Sequence, residues 1–249
     1  RRIVHYHMPK TAGTSFSETM LGLGVNRMML IEHSFHDSDK ECYSFHIDDP
    51  SRPAQYVQVH EWCPSKMFSK FRAGPEDISF TIIREPVSLF YSFYHFSYNE
   101  TRSKEFEWRT VHLNDQPLYR SILSKTQNIR QYIDIVLDSG DLFSEMIPPR
   151  RFYDRRFLDG LDFVGILEDA QGTFRRVAAE AGLPDAELMF SNKNEYERDL
   201  SYRRSELEEF LSDEMRVYDE FKERFHSNVQ GQRDQELGEV PWDHGQETG

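Results

Sequence analysis

Cysteine is scarce in this chain: Cys42 and Cys63 are the only two in 249 residues. Two are too few for a disulfide framework and make no metal-binding pattern; one bridge between them stays an open alternative, and a reducing compartment is expected. Long apolar runs are missing too. None approaches the ~18 residues needed to cross a bilayer, so no membrane segment is expected. Positive charge is in deficit, with a formal net charge of −13, which argues against a nucleic-acid partner held by a broad basic face. No group of His, Cys and carboxylates has ligand spacing, so no metal is expected, and no internal repeat or low-complexity block is visible. Arg1 leads almost directly into the first apolar stretch, so any initiator, signal or anchor sequence would lie upstream. A cytoplasmic setting is expected, with the Golgi lumen as the alternative if an anchor precedes the chain.

What is present suits one α/β domain. Hydrophobic residues make up 38% and charged residues 29%, and the length allows one sizeable core. Residues 1–226 are read as that domain, and the Gln/Gly/Glu-rich stretch 227–249 as a poorly ordered tail. Acidity gathers late: residues 195–249 hold 16 Asp/Glu against 7 Lys/Arg. Glu206, Glu208, Glu209, Asp213 and Glu214 read as the solvated face of a helix over 203–226 whose apolar face is Leu207, Phe210, Leu211, Val217, Tyr218 and Phe221.

The periodicity predicts strands over 2–7, 55–60, 78–84 and 162–167. Helices are predicted over 14–22, 64–71, 86–98, near 117–124, and over 127–138 and 169–181, the third opened by Pro86 at its favoured first turn. Strands alternating with helices imply a central parallel sheet covered by helices on both faces, a three-layer arrangement. Ligands of such sheets bind at the carboxyl ends of the strands. Three strand ends therefore merit inspection: His7 to Ser15, His60 with Glu61, and Arg84 to Ser92.

The first, "HMPKTAGTSF" at 7–16, looks like a phosphate loop with its lysine displaced, because Lys10 precedes the only glycine, Gly13. Thr11, Ala12, Gly13, Thr14 and Ser15 would offer successive backbone N–H groups to an anion at a helix N-terminus, with Lys10 adding a point charge. The alternative is a plain N-cap by Thr14 or Ser15. At the third, Arg84 ends a very apolar strand, where a charge must find a partner or sit in a ligand crevice. Ser92 lies two turns along the following helix, so Arg84 and Ser92 could grip one phosphate from the other side; an ion pair of Arg84 with a nearby carboxylate is the alternative.

With both stretches in view, the chain resembles the sulfotransferases that use 3′-phosphoadenosine 5′-phosphosulfate (PAPS), in particular the carbohydrate-type branch whose loop reads like "HIPKTAGTS". In that family a P-K-T-x-G-T-[ST] loop holds the 5′-phosphosulfate and an R-x-P-x-x-x-x-x-S motif the 3′-phosphate. Here they stand as "PKTAGTS" (Pro9 to Ser15) and "REPVSLFYS" (Arg84 to Ser92). The family often has an arginine where this chain has Leu89. "DFVGILEDAQGTFRRVAAEAGL" (162–183) resembles the family's late strand and helix, and "SNKNE" (191–195) the segment that closes over the nucleotide.

The resemblance implies a P-loop-like fold, PAPS as co-substrate and 3′-phosphoadenosine 5′-phosphate (PAP) as product. It also implies transfer of a sulfuryl group to an acceptor hydroxyl, of a carbohydrate or other polar metabolite. Lys10 would neutralise charge on the oxygen leaving sulfur, and His60 would be the general base. Glu61 would orient His60 or act as the base itself. Lys193 is the candidate to reach the 3′-phosphate. His7 would position the loop, His5 reads as strand packing, and His95 with Tyr91 and Tyr94 reads first as core and second as an acceptor contact. Arg150, Arg151, Arg155 and Arg156 read as surface partners of Asp154 and Asp159 before any ligand role. Two other functions stay in contention: a P-loop small-molecule kinase, for which neither the Gly-Lys order nor a strand-end magnesium aspartate is found, and a non-catalytic nucleotide-binding module.

Overall fold

The computed structural model describes residues 1–33, 42–60, 72–102, 122–123, 125–140, 152–189 and 200–238. Six strands form one sheet: β1 (Ile3–His7), β2 (Arg27–His33), β3 (Cys42–Ile47), β4 (Tyr56–His60), β5 (Ile78–Ile83) and β6 (Phe163–Ile166), in the order β3-β2-β4-β1-β5-β6. All neighbours pair in parallel except β2 with β3, which are antiparallel. The helices are α1 (Gly13–Gly22), α2 (Pro86–Arg102), α3 (Ile129–Ser139), α4 (Arg155–Leu158), α5 (Ala170–Glu180), α6 (Arg204–Phe210) and α7 (Ser212–Gly238). No described helix is long and apolar enough to cross a membrane.

Strands β1, β4, β5 and β6 are buried on both faces, and alternation along each sorts its residues between two cores. Ile3, Tyr56, Ile78, Phe80, Ile82 and Phe163 pack with Phe16 and Met20 of α1 and Phe174 and Val177 of α5. On the other face, Val4, Tyr6, Val57, Val59, Ile83, Val164 and Ile166 pack with Phe157 and Leu158 of α4 and Tyr218, Phe221 and Phe225 of α7. A third cluster is all-helical: Val87, Phe90 and Tyr94 of α2 meet Tyr132, Ile133 and Val136 of α3 and Leu207 of α6.

The four strands read from sequence are found within a residue or so of their expected ends. The edge pair β2 and β3 was not predicted. Arg27, Glu32 and three methionine or leucine residues give β2 no clean alternation, and on β3 the Phe45 side chain is 70% exposed. The single late helix expected over 203–226 is two helices broken at Leu211, whose φ of −102° and ψ of 24° leave the helical region. The break has a packing reason. Leu207 and Leu211 serve the α2–α3 cluster, whereas Tyr218, Phe221 and Phe225 serve the sheet, and one straight apolar stripe cannot face both. α7 continues to Gly238, so the 226/227 boundary drawn from composition falls inside a helix. Of the residues expected to be helical near 117–124, Ile122 and Leu123 are described and are helical, while the expected helix over 64–71 lies outside the described residues.

β6 approaches α5 closely because position 165 lacks a side chain. A Cβ on Gly165 would lie 2.1 Å from Thr173 Cγ2 and 2.7 Å from its Oγ1. Thr173 in turn accepts the Ile166 N–H (3.2 Å) and donates to the Asp169 carbonyl (3.0 Å), tying the strand end to the helix start. Gly165→Ala is expected to lower unfolding free energy by about 1–3 kcal/mol through overpacking, measured as a reduced urea midpoint at unchanged slope.

Candidate functional site

Parallel pairing brings the ends of β1, β4, β5 and β6 to one edge of the sheet. His7 stands in register with His60, and Ile83 with Ile166. The chain leaves β1 toward β2 on one side of the sheet and leaves β5 toward β6 on the other. The turns after β1 and β5 therefore border the crevice where ligands of open α/β sheets bind.

The β1 turn is held by its own side chains and by the strand beneath. Thr11, fully buried, donates from Oγ1 to the Met8 carbonyl at 2.6 Å. Lys10 (φ 69°) and Ala12 (φ 61°) both adopt left-handed backbone without being glycine, a cost of about 1–3 kcal/mol each that concentrates at functional loops. Ala12 is the N-cap of α1 and supplies no side-chain acceptor, so Thr14 and Ser15 lie inside the first turn and neither is the capping residue. The first turn also carries no acidic residue, which leaves the positive end of the helix dipole facing the crevice.

Gly13 owes its place to a side chain of the protein itself. A Cβ there would lie 2.1–2.4 Å from the His7 ring atoms. His7 is buried against the loop, and its ring meets His60 edge to face at 4.6 Å between centroids. His5, also buried, stacks on Phe80 at 4.4 Å and shares a 2.7 Å hydrogen bond between Nδ1 and the Tyr56 hydroxyl. Next to it, Ser17 Oγ donates to Gln58 Oε1 (2.6 Å), and Gln58 Nε2 donates to the Gly13 carbonyl (3.3 Å). Gln58 was not singled out from sequence; its signal was a polar residue in the middle of a buried strand. The packing role expected for His5 matches its burial.

Burial pushes the His5 imidazole down to about 3, with His60 adding to the effect. Burial likewise holds His7 well below the ordinary histidine range, assisted by His60, His5 and Lys10. Both rings are therefore neutral at physiological pH, and the proximity of His60 and Lys10 to His7 sets those two side chains at the same end of β1.

Across the crevice, half-buried Arg84 follows β5 and donates from Nη1 to the Lys10 carbonyl at 3.5 Å. The two motif stretches, 74 residues apart in sequence, thus touch. Lys10 extends toward α2, its Nζ 4.6 Å from the centre of the Phe96 ring. Ser92 sits one helical turn before Phe96 on the same stripe of α2 and is half-buried. Leu89 is buried in the sheet core, where an arginine would have no water. Tyr91 and Tyr94 are core residues, and His95 is half-buried, its imidazole lowered by burial.

His60, Lys10 and Arg84 are thus gathered at one edge, and Ser92 lies one helical turn from the Phe96 ring that Lys10 meets. Glu61 and Lys193 lie outside the described residues, as do Arg150, Arg151 and Cys63. Arg155 pairs with Asp159 (3.3 Å) and Glu220 (2.7 Å), and Arg156 with Asp154 (4.0 Å), the surface pairing expected of them. Among the described residues no group of His, Cys and carboxylates could hold a metal ion.

Gly13→Ala is expected to cost about 1–3 kcal/mol of stability, and much less in a His7→Ala background, since the clash is with that ring; a double-mutant cycle in urea measures the difference. Acid provides a second check. His5 and His7 stay neutral in the fold while the unfolded chain takes up protons below about 6.5, so stability is full above that pH and falls as pH drops toward 3. The slope is at most about 1.4 kcal/mol per pH unit for each ring, and His5→Phe should make it shallower in urea denaturation at pH 7, 6 and 5. Comparison with protein-family models, with curated proteins and with solved structures gives no match for this chain.

Proposed function

We propose that the chain is a sulfotransferase with a P-loop-like nucleotide site. It would transfer the sulfuryl group of PAPS to a hydroxyl of a carbohydrate or another polar metabolite. The observation that carries this reading is the contact between Arg84 and the Lys10 carbonyl, which joins a phosphate-type loop to a second anion grip at one crevice. A nucleotide with phosphates on both sides of its ribose needs two such grips. The loop amides and Lys10 take the phosphosulfate end, and Arg84 with Ser92 takes the 3′-phosphate.

In this reading the acceptor oxygen attacks sulfur in line with the bond to the 5′-phosphate oxygen. The new S–O bond forms as the old one breaks, and PAP leaves with the electron pair. Charge grows on the departing oxygen, where Lys10 and the dipole of α1 stabilise it. The acceptor proton passes to His60, a transfer typically worth ~10²–10⁴-fold in rate. His60 is half-buried at the end of β4, and its neighbour His7 is held neutral, so no fixed positive charge from that ring opposes proton uptake. The acidic chain, with Arg155 and Arg156 already paired, suits a neutral or small acceptor better than a long polyanion.

PAP is expected to raise the thermal midpoint more than ATP does at equal concentration, with stabilisation near 2.7 kcal/mol at about 100 times its dissociation constant. Stronger stabilisation by ATP would overturn the assignment. Lys10→Ala is expected to reduce turnover with PAPS by about 10²–10³-fold, read as PAP release with candidate sugar acceptors.

A further inference from the structure

The ladder between β5 and β6 ends at Ile83 with Ile166, one residue short of Arg84. Side chains take over there. The Tyr153 hydroxyl donates to the Arg84 carbonyl, and Glu168 Oε1 accepts the Glu85 N–H at 3.0 Å. These are the C=O and the N–H of a single peptide group, the one joining Arg84 to Glu85. A peptide group is planar, so holding its oxygen and its N–H together fixes the plane's rotation, and with it ψ of Arg84 and φ of Glu85.

The two side chains that do this come from separate segments and are themselves held. Tyr153 precedes α4 and is buried; burial, with Glu168 nearby, keeps its hydroxyl protonated well above the ordinary tyrosine range, so it remains a donor. Glu168 lies in the 3-10 turn Leu167–Asp169 that follows β6, and its Oε2 accepts from the buried Tyr218 hydroxyl of α7 at 3.0 Å. The Glu85 side chain is itself held: its carboxylate accepts the Ser88 N–H (2.7 Å), capping α2, and pairs with Arg204 of α6 (3.2 Å). Buried tyrosine hydroxyls need some partner, and any nearby carbonyl would satisfy that need. What distinguishes this arrangement is that two unrelated segments choose opposite ends of one peptide, the one from which the Arg84 side chain departs toward Lys10.

We infer that Tyr153 and Glu168 are positioning residues that lock the Arg84–Glu85 peptide and so aim the Arg84 guanidinium at the 3′-phosphate beside the β1 loop. The inference rests on the nucleotide reading above, and its test separates the two. In the full chain, dissociation constants are measured by calorimetry for PAP and for adenosine 5′-phosphate, which lacks the 3′-phosphate. Exchange of the Glu85 amide is followed in the ligand-free protein. Tyr153→Phe and Glu168→Ala should each weaken PAP roughly three- to tenfold while changing adenosine 5′-phosphate by less than about twofold. Both should speed Glu85 exchange, whereas Glu168→Gln, whose amide oxygen still accepts the N–H, should keep the wild-type ratio.

Equal weakening of both nucleotides, or Glu85 exchange unchanged in both variants, would overturn the positioning role and leave ordinary core packing. If the wild-type protein bound both nucleotides equally while Glu85 exchange accelerated in the variants, the peptide lock would stand. The 3′-phosphate reading, and with it the aiming role, would then be overturned.

Discussion

Strand β1 is hydrogen-bonded in parallel to β4 on one side and to β5 on the other, and the candidate site depends on that double pairing. Because parallel neighbours end together, the turn after β1 is flanked by His60 and by Arg84 without any long loop reaching across. A one-residue slip of β1 against β4 would turn His5 and His7 toward the α7 face and Val4 and Tyr6 toward α1. The imidazoles could not then lie beneath the loop, and Gly13 would have no ring to sit against.

That register has an energetic consequence. One face of β1 and β4 buries His5, His7 and Gln58 in a core otherwise made of Phe16, Phe80 and Phe174. Polar groups there are tolerated because most are paired: His5 with Tyr56, Ser17 with Gln58, Gln58 with the Gly13 carbonyl. His5 Nε2 and His7 Nδ1 have no hydrogen-bond partner among the described residues. Together with left-handed backbone at Lys10 and Ala12, the region carries strain and desolvation that a purely structural turn would avoid. An apolar strand here would be more stable. It would not place an imidazole ring beneath Gly13.

On the opposite side of the crevice the solution differs. Arg84 is held through its backbone, by Tyr153 and Glu168, and the helix that follows is capped by Glu85, which also pairs with Arg204. The loop side is thus built from buried imidazoles and backbone, the arginine side from tyrosines and carboxylates. The split of the late helix at Leu211 lets α6 deliver Arg204 to Glu85 and α7 deliver Tyr218 to Glu168. A break that looks like a packing compromise therefore also brings two side chains to the residues around the Arg84–Glu85 peptide.

Much of this was legible in the order of residues. A run such as ISFTII has no other economical fate than a strand buried on both faces, and Pro86 opens its helix where proline costs nothing. Lys10, Gly13, Arg84 and Ser92 were recognisable because strand ends in alternating α/β chains point to one edge. β2 and β3 were not, since their strand character comes from pairing with β4 and with each other rather than from alternation. Nor were Tyr153, Glu168 and Gln58. A tyrosine, a glutamate and a glutamine announce no role until a distant peptide group is brought within 3 Å or so of them. Local pattern and turn chemistry determined the elements and brought out the two candidate stretches after β1 and β5. Only the tertiary structure decided which ring lies under Gly13 and which side chains hydrogen-bond the Arg84–Glu85 peptide, because those contacts join residues far apart in the chain, and no local propensity encodes them.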